Sequence, residues 1–571
     1  MNIKNFLMIK LSKFSVDKKL DILIPLFLAI LILVTRIPFM SKFLYEWDSV
    51  NYALGFNEYN ITQEQPHSPG YIFYTALGKG VNYVFNDPNM TMICLAIFFT
   101  IFTTILIYFM VKELFGRKLS IVTGILFVFN PLIWFYGNIA SIYIFEAFFS
   151  VLIAYTSYKF FKGDEKFLYI SAIALGLAGG FRIDIVEFLI PLWIFCIWYK
   201  RPSYKKILTG LILFGSSLLL WIIPTAISAG GIEQYLTILK STSEAASCTS
   251  LLFGATIKEQ LLNSGACVMW LLLGLSIMGT LAVLSFLVYP RKELISKFIF
   301  YLKKPVTFFF LLWVGPALIF YLVIYVVKPG YILTCIPPIM IILAWIINRV
   351  ANIINVEFPR ISAKKALTLI LTIYVLLNAI YFIYPFEINN GEIWETSLND
   401  MSTSQKVMFG LDVGFIYNTA KINANDENTQ LHVENILNIS NYDPSSTIIV
   451  VRDITREDEG FNWRKAMYYL PSYDIYYLFD GENSENTKSV VSWHGKGQHF
   501  TKSEGDTLNI TINDSTRRIV WIMSNETSFY QEVNAKFGVH TINLPNGLNI
   551  YYSDVGVQSN TTISDFTFKT G

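Results

Sequence analysis

Charge and cysteine are both scarce in this sequence. Of 571 residues, only 15% are Asp, Glu, Lys or Arg, and five are cysteine. So few cysteines exclude a fold held by a disulfide framework, although Cys248 and Cys267 could form a single bridge. Histidine is equally rare, and His67 is the only one before His432. The C-terminal third contains no P-loop, dinucleotide fingerprint or Cys/His metal box, and no internal repeat is visible along the chain. His494 and His499 have metal-like spacing but no helical context to support it. What fills the sequence instead is apolar: 53% hydrophobic and 16% aromatic residues, with a mean hydropathy of +0.46. That composition points to the bilayer.

The few charges are unevenly spread. Residues 1–385 carry 31 Lys+Arg against 18 Asp+Glu, and residues 386–571 carry 13 against 24. A basic membrane half and an acidic soluble half are therefore expected, and the acidic part argues against nucleic acid as a partner. Apolar runs of spanning length fall near 20–40, 91–111, 119–136, 139–158, 167–181, 185–199, 207–229, 267–289, 305–327, 331–348 and 366–384. The fifth and sixth are short, a half-length or tilted pair meeting near Arg182. Eleven crossings are the expectation. Lys4, Lys10, Lys13, Lys18 and Lys19 precede the first run and place the N-terminus in the cytoplasm. Threading outward puts 24 Lys+Arg at cytoplasmic ends and 7 outside before residue 386. The C-terminal part is then extracytoplasmic, in a multi-pass protein of the cell membrane. All seven Asn-x-Ser/Thr triplets fall on the same outer side. No cleavable signal peptide is expected, because no small-residue cleavage pattern follows the first run.

Two domains follow: a transmembrane unit over 1–385, with large outer loops at about 41–90 and 230–265, and a soluble unit over 386–571. The first loop is too long to be a mere turn. It reads as amphipathic stretches at 49–59 and 72–85, suited to lying on the membrane, around the break Gln65-Pro66-His67-Ser68-Pro69-Gly70. In the soluble unit, 447–451, 474–478, 518–523, 539–544 and 548–552 read as strands and 463–470 as a helix, giving a small α/β domain.

Ionisable residues at the outer ends of the runs are the candidates for chemistry. Glu46 and Asp48 flank Trp47 just beyond the first run. Such a pair can deprotonate a hydroxyl or hold a cation, and partial desolvation would raise a carboxyl pKa and make it a better base. Two acids in a solvated loop are the plain alternative. Glu146 lies within an apolar run, roughly 10 Å from its outer end at helical rise. At that depth it is either functional or a structural partner for Arg182. Arg182, after Gly179-Gly180-Phe181, could grip a phosphate or simply neutralise Asp184 or Glu187. Lys328, in Lys328-Pro329-Gly330-Tyr331, suits an anionic lipid head group or a snorkelling anchor with Tyr331 as aromatic belt. His67 could orient a hydroxyl acceptor, ligate a metal or do nothing.

Taken together, the chain resembles the membrane-embedded GT-C class of polyprenyl-phosphate-sugar-dependent glycosyltransferases, including the protein O-mannosyltransferase and aminoarabinose transferase relatives. The resemblance is carried by Glu46-x-Asp48, Gln65-Pro-His-Ser-Pro-Gly-Tyr71, Tyr143-x-x-Glu146, Gly-Gly-Phe-Arg182, Lys328-x-x-Tyr331 and Pro337-Pro338, and spans roughly 20–385. It implies an inverting transfer from a dolichyl or undecaprenyl phosphate carrier to a hydroxyl or similar acceptor, on a glycan, lipid or protein. Asp48 would be the general base, supported by Glu46, which could instead help bind a cation. Glu146 would contact sugar or acceptor, with His67 and Tyr143 on the same side. Arg182 and Lys328 would stabilise the departing lipid phosphate beside Tyr331. Metal use differs within the class, so a divalent ion as cofactor stays open. The Trp-Trp-Asp signature of the N-linked oligosaccharyltransferases is missing. A transporter or flippase of lipid-linked sugars is the alternative, and a membrane-anchored receptor leaves the acidic pair unexplained.

Overall fold

The computed structural model describes residues 3–247, 250–288, 304–325, 328–384 and 417–555, with breaks at 453–460, 483–487, 506, 513–514, 524 and 526–527, together with 565–569. The expected domain boundary near 385, and Cys248 of the suggested bridge, lie outside the described residues.

Up to residue 383 the described chain is helical: α1 (Ile3–Arg36), α2 (Trp47–Asn57), α3 (Ile72–Phe85), α4 (Pro88–Phe115), α5 (Arg117–Val128), α6 (Pro131–Tyr136), α7 (Tyr143–Lys162), α8 (Lys166–Ala178), α9 (Ile183–Lys200), α10 (Tyr204–Ser228), α11 (Ile232–Ser247), α12 (Ile257–Val288), α13 (Pro305–Val323), α14 (Ile336–Glu357) and α15 (Ala363–Ile383). Eight are long and apolar enough to cross a membrane: α1 with the short turn after it, over Asp17–Phe39, and α4, α7, α10, α12, α13, α14 and α15. The other three expected crossings fall on broken, short or charged helices. The run at 119–136 is two helices, because Pro131 cannot continue a helix and Asn130 caps a new one, its Oδ1 accepting from the Leu132 and Ile133 amides at 3.0 and 3.1 Å. Helix α8 has only 13 residues, and α9 carries Asp184, Glu187 and Lys200 within its 18.

The first loop folds into α2 and α3 rather than a surface layer. Residues 49–56 of α2 are buried, which corrects the expectation of a helix lying on the membrane at 49–59. Helix α3 is two-sided as expected, with Tyr74, Thr75 and Gly78 buried and Ala76, Lys79, Tyr83 and Val84 exposed. Ser49 anchors α2 to the bundle by donating from Oγ to the Ala140 carbonyl at 2.5 Å.

The soluble part is an α/β domain. Its seven-stranded sheet runs β4-β3-β2-β1-β6-β8-β7, with β1 (Thr447–Arg452) parallel to both β2 (Asp474–Glu482) and β6 (Arg518–Ile522). Strands β3 (Lys488–Lys496), β4 (His499–Gly505), β7 (His540–Asn543) and β8 (Asn549–Asp554) extend it antiparallel, and β5 (Thr507–Thr511) pairs with β9 (Asp565–Lys569) in a separate ribbon. The expected strands and the helix at 463–470 are present; β3, β4, β5 and β9 were not foreseen. Central β1 is buried on both faces, as an apolar run in the middle of a sheet must be. Ile448 and Val450 pack with Trp521 and Phe529 on one face. Ile449 and Val451 pack with Ile436 and Trp463 on the other, towards α16 (Thr419–Ile439) and α17 (Trp463–Tyr469).

That second face meets the loop carrying the acidic pair. Asp426 of α16 accepts from Ser41 Oγ and the Lys42 amide, both at 2.7 Å, and from the Phe43 amide at 3.2 Å. Tyr469 Oη accepts from the Leu44 amide at 2.9 Å. The loop is thus held between bundle and sheet.

Candidate functional site

The site forms where four separated stretches meet. Glu46 is the N-cap of α2: its carboxylate accepts from the Ser49 amide and its own amide donates to Ser49 Oγ at 3.3 Å, a capping box that fixes the first turn bearing Asp48. The segment 329–334 brings Lys328 over that turn. Lys328 Nζ donates to Glu46 Oε2 at 2.9 Å and to Asp48 Oδ2 at 3.4 Å. On the other side of the carboxylate, His67 Nδ1 lies 3.5 Å from Asp48 Oδ1. Asp48 is therefore bracketed by two cationic or polarisable groups drawn from both ends of the bundle sequence.

Close backbone approach makes this possible. A Cβ on Gly330 would stand 2.3 Å from the Tyr143 ring, and one on Gly180 would stand 2.3 Å from the Phe73 ring. Only glycine lets both breaks close against α7 and α3. Gly330 also donates its amide to Tyr136 Oη at 2.9 Å, and the Phe73 amide donates to the Gly180 carbonyl at 2.9 Å. Tyr71 takes φ 40, a costly conformation for an aromatic residue, at the start of α3.

Arg182 forms the second half of the site. Its Nη2 lies 2.8 Å from Asp184 Oδ2, and its Nε lies 3.2 Å from Asp184 Oδ1 and 3.1 Å from Glu146 Oε1. Tyr331, Tyr143 and Tyr71 surround the guanidinium, with ring centroids 4.8, 5.5 and 5.8 Å away. Glu146 is fully buried, and its Oε2 accepts from Thr334 Oγ1 at 2.8 Å. Of the alternatives open for Arg182 and Glu146, both pairings are realised at once. Two carboxylates thus hold the Nε–Nη2 edge of the guanidinium.

All eight singled-out residues, Glu46, Asp48, His67, Tyr143, Glu146, Arg182, Lys328 and Tyr331, therefore lie in one contiguous cluster. Asp184 joins it as a full member, although its only signal was adjacency to Arg182. Tyr52 and Tyr71 line the same wall, with rings 5.7 and 5.0 Å from His67. His494 and His499 do not share a centre: His494 Nε2 lies 3.1 Å from Asp474, and His499 Nε2 lies 3.4 Å from Glu58.

The expected upward shift of the Asp48 pKa is reversed. Burial does push it up, but the positive potentials of His67, Lys328 and Arg182 more than offset that, and the carboxyl sits below its ordinary value. Asp48 is a carboxylate held ready rather than a strengthened base. The Lys328 ammonium bridges Glu46 and Asp48, where a cation shared by the two acids would bind. No group of three or more His, Cys, Asp or Glu suited to a metal occurs among the described residues.

Residues 67–227 match the family model described as dolichyl-phosphate-mannose-protein mannosyltransferase. The matched segment contains His67, Tyr143, Glu146 and Arg182. Over that stretch the match bears out the resemblance to polyprenyl-phosphate-sugar-dependent glycosyltransferases and the expectation of an enzyme of that kind. A comparison with curated proteins returns no match. Among solved structures, the chain is similar to ArnT from Cupriavidus metallidurans bound to undecaprenyl phosphate, at 10% identity, covering 94% of this chain and 98% of that one with a TM-score of 0.49. It is also similar to the apo oligosaccharyltransferase from Archaeoglobus fulgidus, at 11% identity, 95% and 75% coverage and a TM-score of 0.47.

Proposed function

We propose that the chain transfers a sugar from a polyprenyl phosphate to a hydroxyl acceptor with inversion at the sugar carbon, Asp48 acting as general base. The observation that carries this reading is the Asp48 carboxylate set between Lys328 and His67. The acceptor oxygen would attack the anomeric carbon while its proton passes to Asp48. The bond from that carbon to the phosphate oxygen would break, leaving its electron pair on the lipid phosphate. Lys328 is the cation for that new charge. It is bonded to Glu46 and Asp48 here, so an arriving phosphate would draw the ammonium across and release Asp48 for the incoming proton. Arg182, held by Glu146 and Asp184, would act through its field and through Tyr143 and Tyr331 rather than by a two-pronged grip.

The proposed orientation places this end of the bundle and the soluble domain outside the cell, with the N-terminus in the cytoplasm. The concentration of Lys and Arg at the opposite helix ends supports it.

The test is to incubate membranes containing the chain with radiolabelled lipid-linked sugars and follow label leaving the lipid. Asp48→Asn should insert and fold normally yet lose at least about 10³-fold in transfer, since it removes the base. Full activity in that variant would end the assignment of the base. Label that changes leaflet without leaving its lipid would point to a transporter instead.

A further inference from the structure

Arg464, in the first turn of α17, is fully buried, and all its described acceptors are neutral. Its Nε donates to Asn51 Oδ1 at 2.8 Å. Its Nη2 donates to the Gln63 and Glu64 carbonyls at 2.6 and 3.1 Å. The rings of Phe500 and Trp463 lie 5.1 and 5.4 Å from the guanidinium carbon. The Glu64 charge favours the cation, but no carboxylate is hydrogen-bonded to it, so its burial is costly, and a neutral residue of the same shape could fill the space. What the guanidinium supplies is a rigid fork with several donors in fixed directions.

Three of the acceptors, Asn51, Gln63 and Glu64, belong to the two segments that meet at the candidate base; the fourth, Met467 Sδ at 3.7 Å from Nη1, lies on α17 itself. Asn51 follows Asp48 by three residues on α2, so the two lie on neighbouring faces of one turn. Gln63 and Glu64 precede His67 by four and three residues. Asp48 and His67 then close to 3.5 Å. Neighbouring contacts from the same soluble domain reinforce the tie. Phe500 donates its amide to Gln63 Oε1 at 2.9 Å, and Gln65 Nε2 donates to the Gln498 carbonyl. Trp47, between the two acids, packs among Trp463, Tyr477 and Trp493 at 5.9, 6.0 and 6.2 Å.

We propose that Arg464 is a positioning residue of the transfer reaction: reaching in from the soluble domain, it ties α2 to the 63–67 segment and sets the Asp48–His67 separation. The soluble domain is then a working part of the site. This rests on the function proposed above. It differs in that Arg464 touches neither substrate nor reacting atoms, so its removal disturbs the acceptor side and leaves the lipid-phosphate side in place.

The full-length protein carrying Arg464→Lys, which keeps the charge but loses the fork, is compared with wild type and Arg464→Met. Hydrogen exchange over 46–67 reads the tie without any activity, and steady-state transfer reads its consequence. Faster exchange confined to 46–67 is expected, together with kcat lowered roughly 10²-fold for a misplaced base and an unchanged KM for the lipid-linked donor. Arg464→Lys should retain more kcat than Arg464→Met. Unaltered exchange in both variants overturns the tie. Faster exchange with unchanged kcat, or a loss appearing in donor KM, overturns the positioning role. Should Arg464→Met fail to fold, Arg464→Lys alone decides between these results. A wild-type protein that transfers no sugar, yet loses protection at 46–67 on substitution, would sink the proposed function while leaving the tie intact.

Discussion

The two ends of the helical bundle both gather charge, and they do so differently. At one end Asp21 meets Lys112 and Arg117, with Arg117 Nη1 also 2.8 Å from Asp17 Oδ1. Lys159 pairs with Glu113 close by in sequence to the same helix ends. These side chains are a fifth to three-fifths exposed, which is ordinary for ions at a membrane boundary. At the other end Glu146 is 0% exposed, Glu46 5%, Arg182 6% and Lys328 12%. The same residue types occur at both ends, but only one end encloses a set of four, and even there Asp48 and Asp184 stay 23% and 18% exposed, close to Asp21. Exposed pairs hold helix ends together cheaply and weakly, whereas enclosed ones carry a desolvation cost that a fold has no reason to bear for stability alone.

This contrast can be broken most directly at Glu146. Glu146→Ala leaves Arg182 buried with one carboxylate fewer, and a loss of about 3–5 kcal/mol in stability is expected, read as a large fall in the thermal midpoint of the detergent-purified protein. A midpoint close to wild type would show that the enclosed pair is no more demanding than a surface one. Next comes Lys328→Met, which should cut transfer by about 10² to 10³ in kcat. It should also move the acid limb of the kcat/KM profile upward. The sign follows from Asp48: its carboxyl is held below the ordinary value, so it stays ionised as pH falls through the usual aspartate range, and removing a cation lets its pKa rise. An acid limb that does not move would mean that Asp48 is not the group being titrated.

A smaller effect of opposite direction is expected from Glu46→Gln. It removes the nearer partner of Lys328, so polyprenyl phosphate should bind about tenfold tighter, even as transfer slows. Weaker binding would show that Glu46 shapes the phosphate site rather than competing for its cation. The smallest effect belongs to the far end. Asp21→Asn should change stability by no more than about 1 kcal/mol and leave transfer unchanged, as assays of both on the same preparation would show.

How legible the site was depends on the residue. Glu146 stood out because an acid within an apolar run is costly at that depth and must either act or pair. Glu46 and Asp48 stood out by flanking a tryptophan just past a long apolar segment. Arg182 and Lys328 were marked by the glycine and proline breaks beside them. Their pairings were not legible, because Lys328 reaches Asp48 across 280 positions, and spacing says nothing about such contacts. Arg464 and Asn51, 413 positions apart, gave no signal at all. A buried arginine in a short soluble helix looks like any surface arginine until the loop it binds is in place. The direction of the Asp48 shift was misjudged for the same reason: desolvation was visible in the apolar surroundings, but the groups that oppose it, His67, Lys328 and Arg182, come from other stretches.

Within the fold, the longest helices and the strands at 447–451 and 518–523 follow from apolar runs and their lengths. The run at 119–136 did not, because hydropathy averages over the Asn130-Pro131 break that ends one helix and caps another.

By itself the sequence determined a many-helix bundle with an acidic α/β domain after it, because hydropathy and side-chain period act locally along the chain. It also determined which ionisable groups were out of place. Tertiary structure alone decided that they meet, that Lys328 neutralises the acidic pair while Arg182 is claimed by Glu146 and Asp184, and that the soluble domain grips the loop between them. Those outcomes depend on Coulomb interactions and packing across hundreds of residues, which fall off with distance in space and are blind to distance in sequence.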